Sequence, residues 1–158
     1  MAEDIATTAH AFKKAFRDVA VTLFASETET AGTSVAFGRP TDMLTPSVVA
    51  FTRLSSNQAV ATLSTNRARE EELELDVIFS EFVEGGEEAE EIASDRAYLR
   101  LRMLERHARI TDTTIGGTVR ECFLARHESE GMSSKRVVKA GRNIVIVATF
   151  AAKARVAR

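Results

Sequence analysis

The stretch that decides the fold is residues 69–83, which read REEELELDVIFSEFV. Apolar residues at every second position alternate with mostly acidic ones: Leu73, Leu75, Val77 and Phe79 against Glu72, Glu74, Asp76 and Ile78. Successive side chains of a β-strand point to opposite faces of a sheet, so this period predicts a strand with one buried face and one acidic face. At about fifteen residues it exceeds the usual strand length of about five or six.

Two amphipathic helices are predicted on either side of this strand. Apolar residues spaced by three and four place the first helix at 5–26. A broader apolar stripe places the second at 87–109, with glutamates in its first turn and arginines in its latter half. That order of charge complements the helix dipole, which favours anions at the N-terminus and cations at the C-terminus.

The remaining segments are predicted as further strands, turns and a tail. A loop over 38–46 contains both prolines, Ser55-Ser56-Asn57 is a turn signal, and 151–158 is a basic tail. Turn residues are expected at Gly38, Pro40, Gly85, Gly86, Gly116 and Gly117. The predicted shorter strands lie at 34–37, 47–54, 59–63, 118–127 and 144–150.

The order of these elements predicts one α+β domain over residues 1–158. Strands adjacent in sequence are joined by short segments, which favours antiparallel pairing. We expect a mostly antiparallel, mixed sheet of about five or six strands with two amphipathic helices packed on it.

Composition excludes several classes of protein. With 44% apolar residues in 158, the chain can bury a hydrophobic core, and no apolar run approaches the ~20 residues that span a bilayer. The N-terminal Met-Ala-Glu-Asp has no features of a secretory signal. A single cysteine, Cys122, excludes an internal disulfide framework and indicates a reducing compartment.

Residues that would indicate catalysis or metal binding are scattered. The three histidines, His10, His107 and His127, have no metal-ligand spacing, and Cys122 in a predicted strand is typical of a buried, inert thiol. Neither a G-x-S-x-G motif nor a phosphate-binding glycine loop is present. We therefore predict no enzyme, no catalytic residue, no metal and no cofactor.

The net charge of −2 hides a strong asymmetry along the chain. Residues 70–95 contain twelve acidic and no basic side chains, whereas 96–158 contain fourteen basic and five acidic ones. Either these sets neutralise each other within one subunit, or they lie on different faces and join copies head to tail, which can close a ring. The predicted ring, lumen or partner interface comprises Glu70, Glu72, Glu74, Asp76, Arg136, Lys139, Arg142, Lys153 and Arg155.

Several short motifs occur in an order that resembles a known family. The amphipathic segment over 5–24 comes first, and the second helix carries Arg96-Ala97 and Leu104-Glu105. The most telling element follows that helix and reads D-x-T-I-G-G-x-V, from Asp112 to Val119. The other matching motifs are Val35-Ala36-Phe37-Gly38-Arg39-Pro40, Pro46-Ser47-Val48-Val49-Ala50-Phe51 and Asn66-Arg67-Ala68-Arg69-Glu70-Glu71-Glu72.

These motifs, which together cover most of the chain, resemble the tail terminator (tail-completion) proteins of long-tailed bacteriophages, especially those of actinobacteria. The resemblance implies a virion structural protein that forms a homo-hexameric ring at the tail-neck junction after assembly in the host cytoplasm. Such a ring caps the tail tube, ends its polymerisation and joins it to the head-side connector. The implied partners are further copies of the chain, the tail tube protein and the connector or stopper protein, with DNA only as passing cargo and no membrane.

Other functions stay open at this level. Head-tail stoppers and adaptors of the same particle have similar sizes. A small nucleic-acid-binding adaptor could use the C-terminal arginines. A small enzyme would need two or more of Glu70, Glu74, Asp76 and Glu81 in a deep pocket.

Overall fold

The computed structural model describes residues 6–40, 45–61, 68–131 and 140–156. Those residues form two α-helices and five β-strands, and a π-helical turn over His107–Thr111 continues the second helix. In chain order the elements are α1 (Ala9–Ser26), β1 (Ser34–Phe37), β2 (Ser47–Val60), β3 (Arg69–Glu84), α2 (Glu88–Arg106), β4 (Glu121–Gly131) and β5 (Gly141–Val156).

The strands form one mixed sheet in the order β1-β2-β3-β5-β4. Only the β1–β2 pair is parallel among the pairings of the described residues, and the other three are antiparallel. This confirms the predicted fold class, a mostly antiparallel mixed sheet with two helices.

Strand β3 lies at the centre of the sheet and has the predicted alternation. It pairs with β2 from Arg69 to Glu81 and with β5 along its whole length. The side chains of Leu73, Leu75, Val77 and Phe79 are buried on one face, whereas Glu72 and Glu74 are exposed on the other. We call the apolar face the inner face and the opposite one the outer face.

Both helices pack on the inner face. The Phe16 ring of α1 contacts the rings of Phe51 and Phe150 edge-on, with centroids 5.6 and 4.9 Å apart. From α2, a stripe of small and aliphatic side chains completes the core: Ala89, Ala93, Ala97, Leu101 and Leu104. The small alanine side chains let α2 lie close to the sheet. Beneath α1 the core is instead rich in phenylalanine.

A buried carboxylate of β3 binds the N-terminus of α1. Glu71 accepts hydrogen bonds from the Thr8 amide (2.9 Å), the Thr8 hydroxyl (2.8 Å) and the Thr7 hydroxyl. From β2, Ser56 Oγ donates to it at 2.6 Å and Gln58 Nε2 at 3.2 Å. The first turn of α1 contains no acidic residue, so Glu71 supplies from the sheet the negative charge that this helix end favours.

A second buried carboxylate of β3 binds α2. Arg100 Nη1 lies 2.8 Å from Glu81 Oε1, and both side chains are almost fully buried. Ser47 Oγ donates to Glu81 at 2.7 Å, and Arg100 Nε donates to Thr33 Oγ1 at 2.9 Å. Burial raises the pKa of Glu81, while Ser47 and Arg100 oppose that rise. The pair thereby joins α2 to two strands and to the segment that enters β1.

The D-x-T-I-G-G-x-V motif forms a tight turn between α2 and β4. Asp112 accepts hydrogen bonds from the amides of Thr114 (3.0 Å) and Gly116 (2.7 Å). Ile115 is fully buried with a φ of 46°, a left-handed conformation that β-branched residues rarely adopt, and Gly116 and Gly117 continue it at 67° and 75°. Hydrogen bonds to Asp112 and burial of Ile115 together stabilise this backbone.

The pairing of the first two strands differs from the expectation for neighbours in sequence. Strand β1 runs parallel to β2, with Val35 opposite Val49 and Phe37 opposite Phe51. Antiparallel neighbours need only a tight turn, whereas a parallel partner requires the chain to return to the end where the first strand begins. Here the nine residues 38–46 make that return between the short β1 and β2. The predicted loop therefore connects two parallel strands. Its residues 41–44 lie outside the described ones.

The turn predicted at 55–57 is wrong, and so is the separate strand after it. Residues 47–60 form one strand, β2, with an extra residue between Phe51 and Leu54 that bulges its pairing with β3. Ser56 turns inward to Glu71, and Asn57 lies opposite Glu72. The polar residues that indicated a turn are thus the partners of carboxylates on the next strand.

Four predicted boundaries shift. Strand β4 begins at Glu121, and α2 ends at Arg106 before its π-helical turn. The predicted tail is wrong for residues 151–156, which belong to β5 because Ala152, Ala154 and Val156 are buried while Lys153 and Arg155 point outward. The first helix begins at Ala9, and Thr8 occupies its N-cap position.

Replacing Glu71 by Gln tests the helix-binding carboxylate. Burial alone would raise the pKa of Glu71, but the hydrogen bonds from Ser56, Thr7 and Thr8 outweigh it and lower the pKa to about 2. As the pH falls the unfolded chain binds the proton first, so this stabilisation is present above about pH 5 and is lost between about pH 5 and 2. We expect E71Q to lower the free energy of unfolding by about 2 kcal/mol at pH 7, and by much less near pH 2.

Urea denaturation across this pH range measures the effect. The matched control is E74Q on the outer face of the same strand, where the carboxylate is half exposed. We expect E74Q to change the free energy of unfolding by less than about 0.5 kcal/mol at every pH. Equal effects of the two substitutions would contradict the role of Glu71.

Replacing Gly117 by Ala tests the left-handed turn. No atom lies within 4 Å of the position that the new Cβ would occupy, so the cost comes from the φ of 75° alone. We expect a loss of about 1 kcal/mol in the free energy of unfolding. The control is Gly86→Ala, which has equal space and no positive φ, and should change stability by less than half as much.

Candidate interaction surface

The outer face of the sheet holds the predicted acidic interface residues. Glu70, Glu72, Glu74 and Asp76 follow one another along β3, and we call their end of the outer face the charged half. The register places Arg155 and Lys153 of β5 directly opposite Glu70 and Glu72. Two predicted sets of opposite charge are therefore neighbours on one face.

Basic side chains of β4 and its preceding segment reach across to the same carboxylates. Arg126 lies 3.3 Å from Glu74, and Arg120 lies 3.2 Å from Glu70. Asp76 accepts a hydrogen bond from Thr149 at 2.7 Å. These ion pairs are largely exposed, and pairs of that kind contribute only ~0–1 kcal/mol each to folding. The charged half is a mixed ladder of acids and bases that hardly affects stability.

The rest of the predicted basic set separates in space. Arg142 belongs to the alternation of β5 that includes the buried Ile144 and Ile146, opposite Val83 of β3, so it lies apart from Lys153 and Arg155. Arg136 and Lys139 lie outside the described residues. The structure thus brings six of the nine predicted interface residues onto one face.

The other end of the outer face is apolar. A groove of about 470 Å³ crosses the strands there, and its floor is formed mainly by aliphatic side chains: Val48, Ala50, Ile78, Val145 and Val147. Val147 is 39% exposed, whereas Val48 and Ala50 are buried beneath the rim. We call this depression the outer groove.

The two rims of the outer groove carry opposite charge. Arg39 and Pro40, from the segment after β1, form one rim, and Glu128 and Glu130 of β4 form the other. Neither Arg39 nor Glu130 forms an ion pair with another described residue. An apolar floor between a basic and an acidic rim is suited to a partner surface with the reverse order of charge.

Sequence reasoning missed the outer groove, although one signal was present. Ile78 interrupts the acidic side of the β3 alternation, and Val145 with Val147 makes β5 apolar on both faces. The other contributors come from β2, β4 and the segment after β1, and only the sheet order brings them together. The predicted turn residue Pro40 also lines this groove.

The predicted turn glycines occupy several kinds of backbone. Gly38 and Gly85 have positive φ at the ends of β1 and β3, as do Gly116 and Gly117 in the turn before β4. Gly86 does not. A further glycine that was not singled out, Gly141, begins β5 where a Cβ would lie only 2.2 Å from the Val83 carbonyl oxygen.

Groups that could perform chemistry are dispersed in the described part of the chain. No cluster of three or more histidine, cysteine, aspartate or glutamate side chains there could hold a metal ion. Burial raises the pKa of Cys122 to about 12, which keeps the thiol protonated. Glu70, Glu74 and Asp76 lie on the open outer face, whereas Glu81 is on the inner face paired with Arg100. Within the described ranges, no helix is long and apolar enough to cross a membrane.

Comparison with known proteins gives only weak similarity, and it is to solved structures. No protein family and no curated protein matches this sequence. One solved structure that matches is a chain from the virion of a native gene transfer agent (GTA) particle. The two are 12% identical with a TM-score of 0.44, over 92% of this chain and 99% of that chain. At this level of similarity no property of that particle is transferred to this chain.

Proposed function

We propose that this chain is a structural protein of a phage virion, namely the tail terminator that forms a ring on the end of the tail tube. In this role it ends tube polymerisation and joins the tail to the head-side neck. The proposal follows the resemblance over most of the chain. Its most telling motif, Asp112 to Val119, forms the turn between α2 and β4, which the buried side chain of Ile115 anchors to the core. It assigns the chain no reaction and no cofactor.

The observation that carries the proposal is the outer face of the sheet. Both helices pack on the inner face, and the outer face combines an apolar groove with a ladder of alternating charges. Extended surfaces of this kind suit assembly with other proteins, since an apolar patch rimmed by charge is typical of interaction sites.

The charged half is proposed to contact the next component of the neck or to line the passage for DNA. Its acids and bases form pairs such as Glu74 with Arg126. Complementary charges guide encounter and suppress incorrect pairings more than they add affinity. This half therefore fits a specific and reversible junction between rings, with Arg136 and Lys139 as further proposed contacts.

Two other neck proteins remain as alternatives, the head-tail stopper and the adaptor, because they are of similar size. Assembly on tubes separates them from a terminator. A terminator is expected to bind the end of a polymerised tail tube and stop its growth, and a stopper or adaptor is not.

Light scattering and electron microscopy test the proposed ring. We expect the wild-type chain of 17.3 kDa to assemble at high concentration into a ring of about 100 kDa, as six copies require. Added to polymerising tail tube protein, it should appear at tube ends and shorten the tubes. A chain that stays monomeric and leaves tube length unchanged would contradict the proposal.

A titration with duplex DNA at low salt tests the nucleic-acid alternative. Binding through phosphates would be tight at low salt and would fall steeply as salt increases. We expect no such binding, because Lys153 and Arg155 lie opposite carboxylates. Tight, salt-dependent binding would instead favour the small nucleic-acid-binding adaptor.

A further inference from the structure

The exposed side of α2 carries its own order of charge. One stripe along this side has acidic residues in the first half, apolar residues in the middle and basic residues at the end. We call it the α2 stripe, formed by Glu88, Glu91, Ile92, Asp95, Leu99, Arg102 and Arg106.

We propose that the α2 stripe of one copy lies in the outer groove of the next copy. The inference deepens the proposed ring by naming the two surfaces that join its subunits, and it depends on that proposal. The occupant of the groove is a helix of a second copy, which would give the sheet a helical layer on each face.

The charges of the α2 stripe complement those of the groove rims when the helix crosses the strands with its N-terminal end on the Arg39 side. The acidic half of the α2 stripe then lies near Arg39, and the basic half lies near Glu128 and Glu130. Within the described residues, Glu88, Glu91, Arg102 and Arg106 form no ion pair in their own subunit, so all four are available to a partner.

The dimensions of the two surfaces agree. At 1.5 Å per residue, Glu91 and Arg102 are separated by about 17 Å along the helix. The rims of the groove are separated by up to four strand spacings, from the β1 side to β4, which is about 19 Å. A helix lying across the strands can therefore place its charged ends on both rims at once.

The apolar centres of the two surfaces also meet in this arrangement. Ile92 is 44% exposed and lies one residue from Glu91, so it faces the part of the floor nearest Arg39, which includes Ala50. Leu99 is half-buried two turns further along the helix and about 4.5 Å before Arg102. It therefore lies over Val147, which is 39% exposed and stands opposite Glu128. Contact between the surfaces removes these side chains from water, which favours association.

The two surfaces belong to opposite sides of one subunit, because α2 covers the inner face and the groove is on the outer face. Contact between them is heterologous, and repeated heterologous contacts close into a ring or continue as a filament. A closed ring forms when the rotation per subunit divides a full turn and there is no rise along the axis, so this single contact is sufficient to build the whole assembly.

Reversing the charge of one surface at a time tests the contact. The groove variant is E128R/E130R, and the helix variant is R102E/R106E. We expect each alone to weaken assembly at least about 10-fold, because like charges then face each other. A 1:1 mixture should assemble again, since each variant presents to the other a surface of opposite charge.

Two controls separate this contact from other causes. K14E reverses a charge on the exposed side of α1, away from both surfaces, and should assemble like the wild type. Thermal denaturation of each variant should show wild-type stability. Restored assembly in the mixture would by itself exclude misfolding as the reason for the defect.

Cross-linking provides an independent measurement. In a Cys122→Ser background, we expect L99C and V147C in one chain to form disulfides between copies under mild oxidation, and K14C with V147C to form none. The inference would be overturned, and the proposed function left standing, if the wild type formed rings while the charge variants assembled normally or no Leu99–Val147 cross-link formed. A wild-type chain that stays monomeric would overturn both.

Discussion

The pairing of β3 with β5 along all sixteen residues of each strand is the constraint on which the rest of the structure depends. It places the alternating strand in the centre of the sheet, where the inner face must be covered and the outer face can remain wet. Every other element takes its position from that strand. Strand β2 pairs on its far side, β4 continues from β5, and both helices lie on its apolar face.

Two carboxylates interrupt the apolar inner face of β3, and each holds a helix. Glu71 binds the start of α1 near one end of the strand, and Glu81 binds Arg100 of α2 near the other. A buried carboxylate without partners would be costly, so these residues require the helices in their observed positions. Polar groups in the core thereby define how the helices lie, while the phenylalanine and alanine side chains provide the burial.

The acidic middle and the basic end of the chain do not lie on separate faces of the subunit. Acidic β3 and the basic residues Lys153 and Arg155 lie side by side on the outer face, so much of the charge is balanced within the subunit. The unbalanced charge lies elsewhere, on the rims of the outer groove and along the α2 stripe. Those are the surfaces on which we base contact between copies.

The sequence by itself determined the α+β class, the alternation of β3, both helices and the inert Cys122, because each depends on a local period or on composition. Only the tertiary structure decided the parallel β1–β2 pair, the continuous β2 and the inclusion of 151–156 in β5. Those features depend on partners distant in sequence: Ser56 looks like a turn residue until Glu71 binds it. The outer groove likewise exists only because the sheet order brings four strands and one loop to the same place.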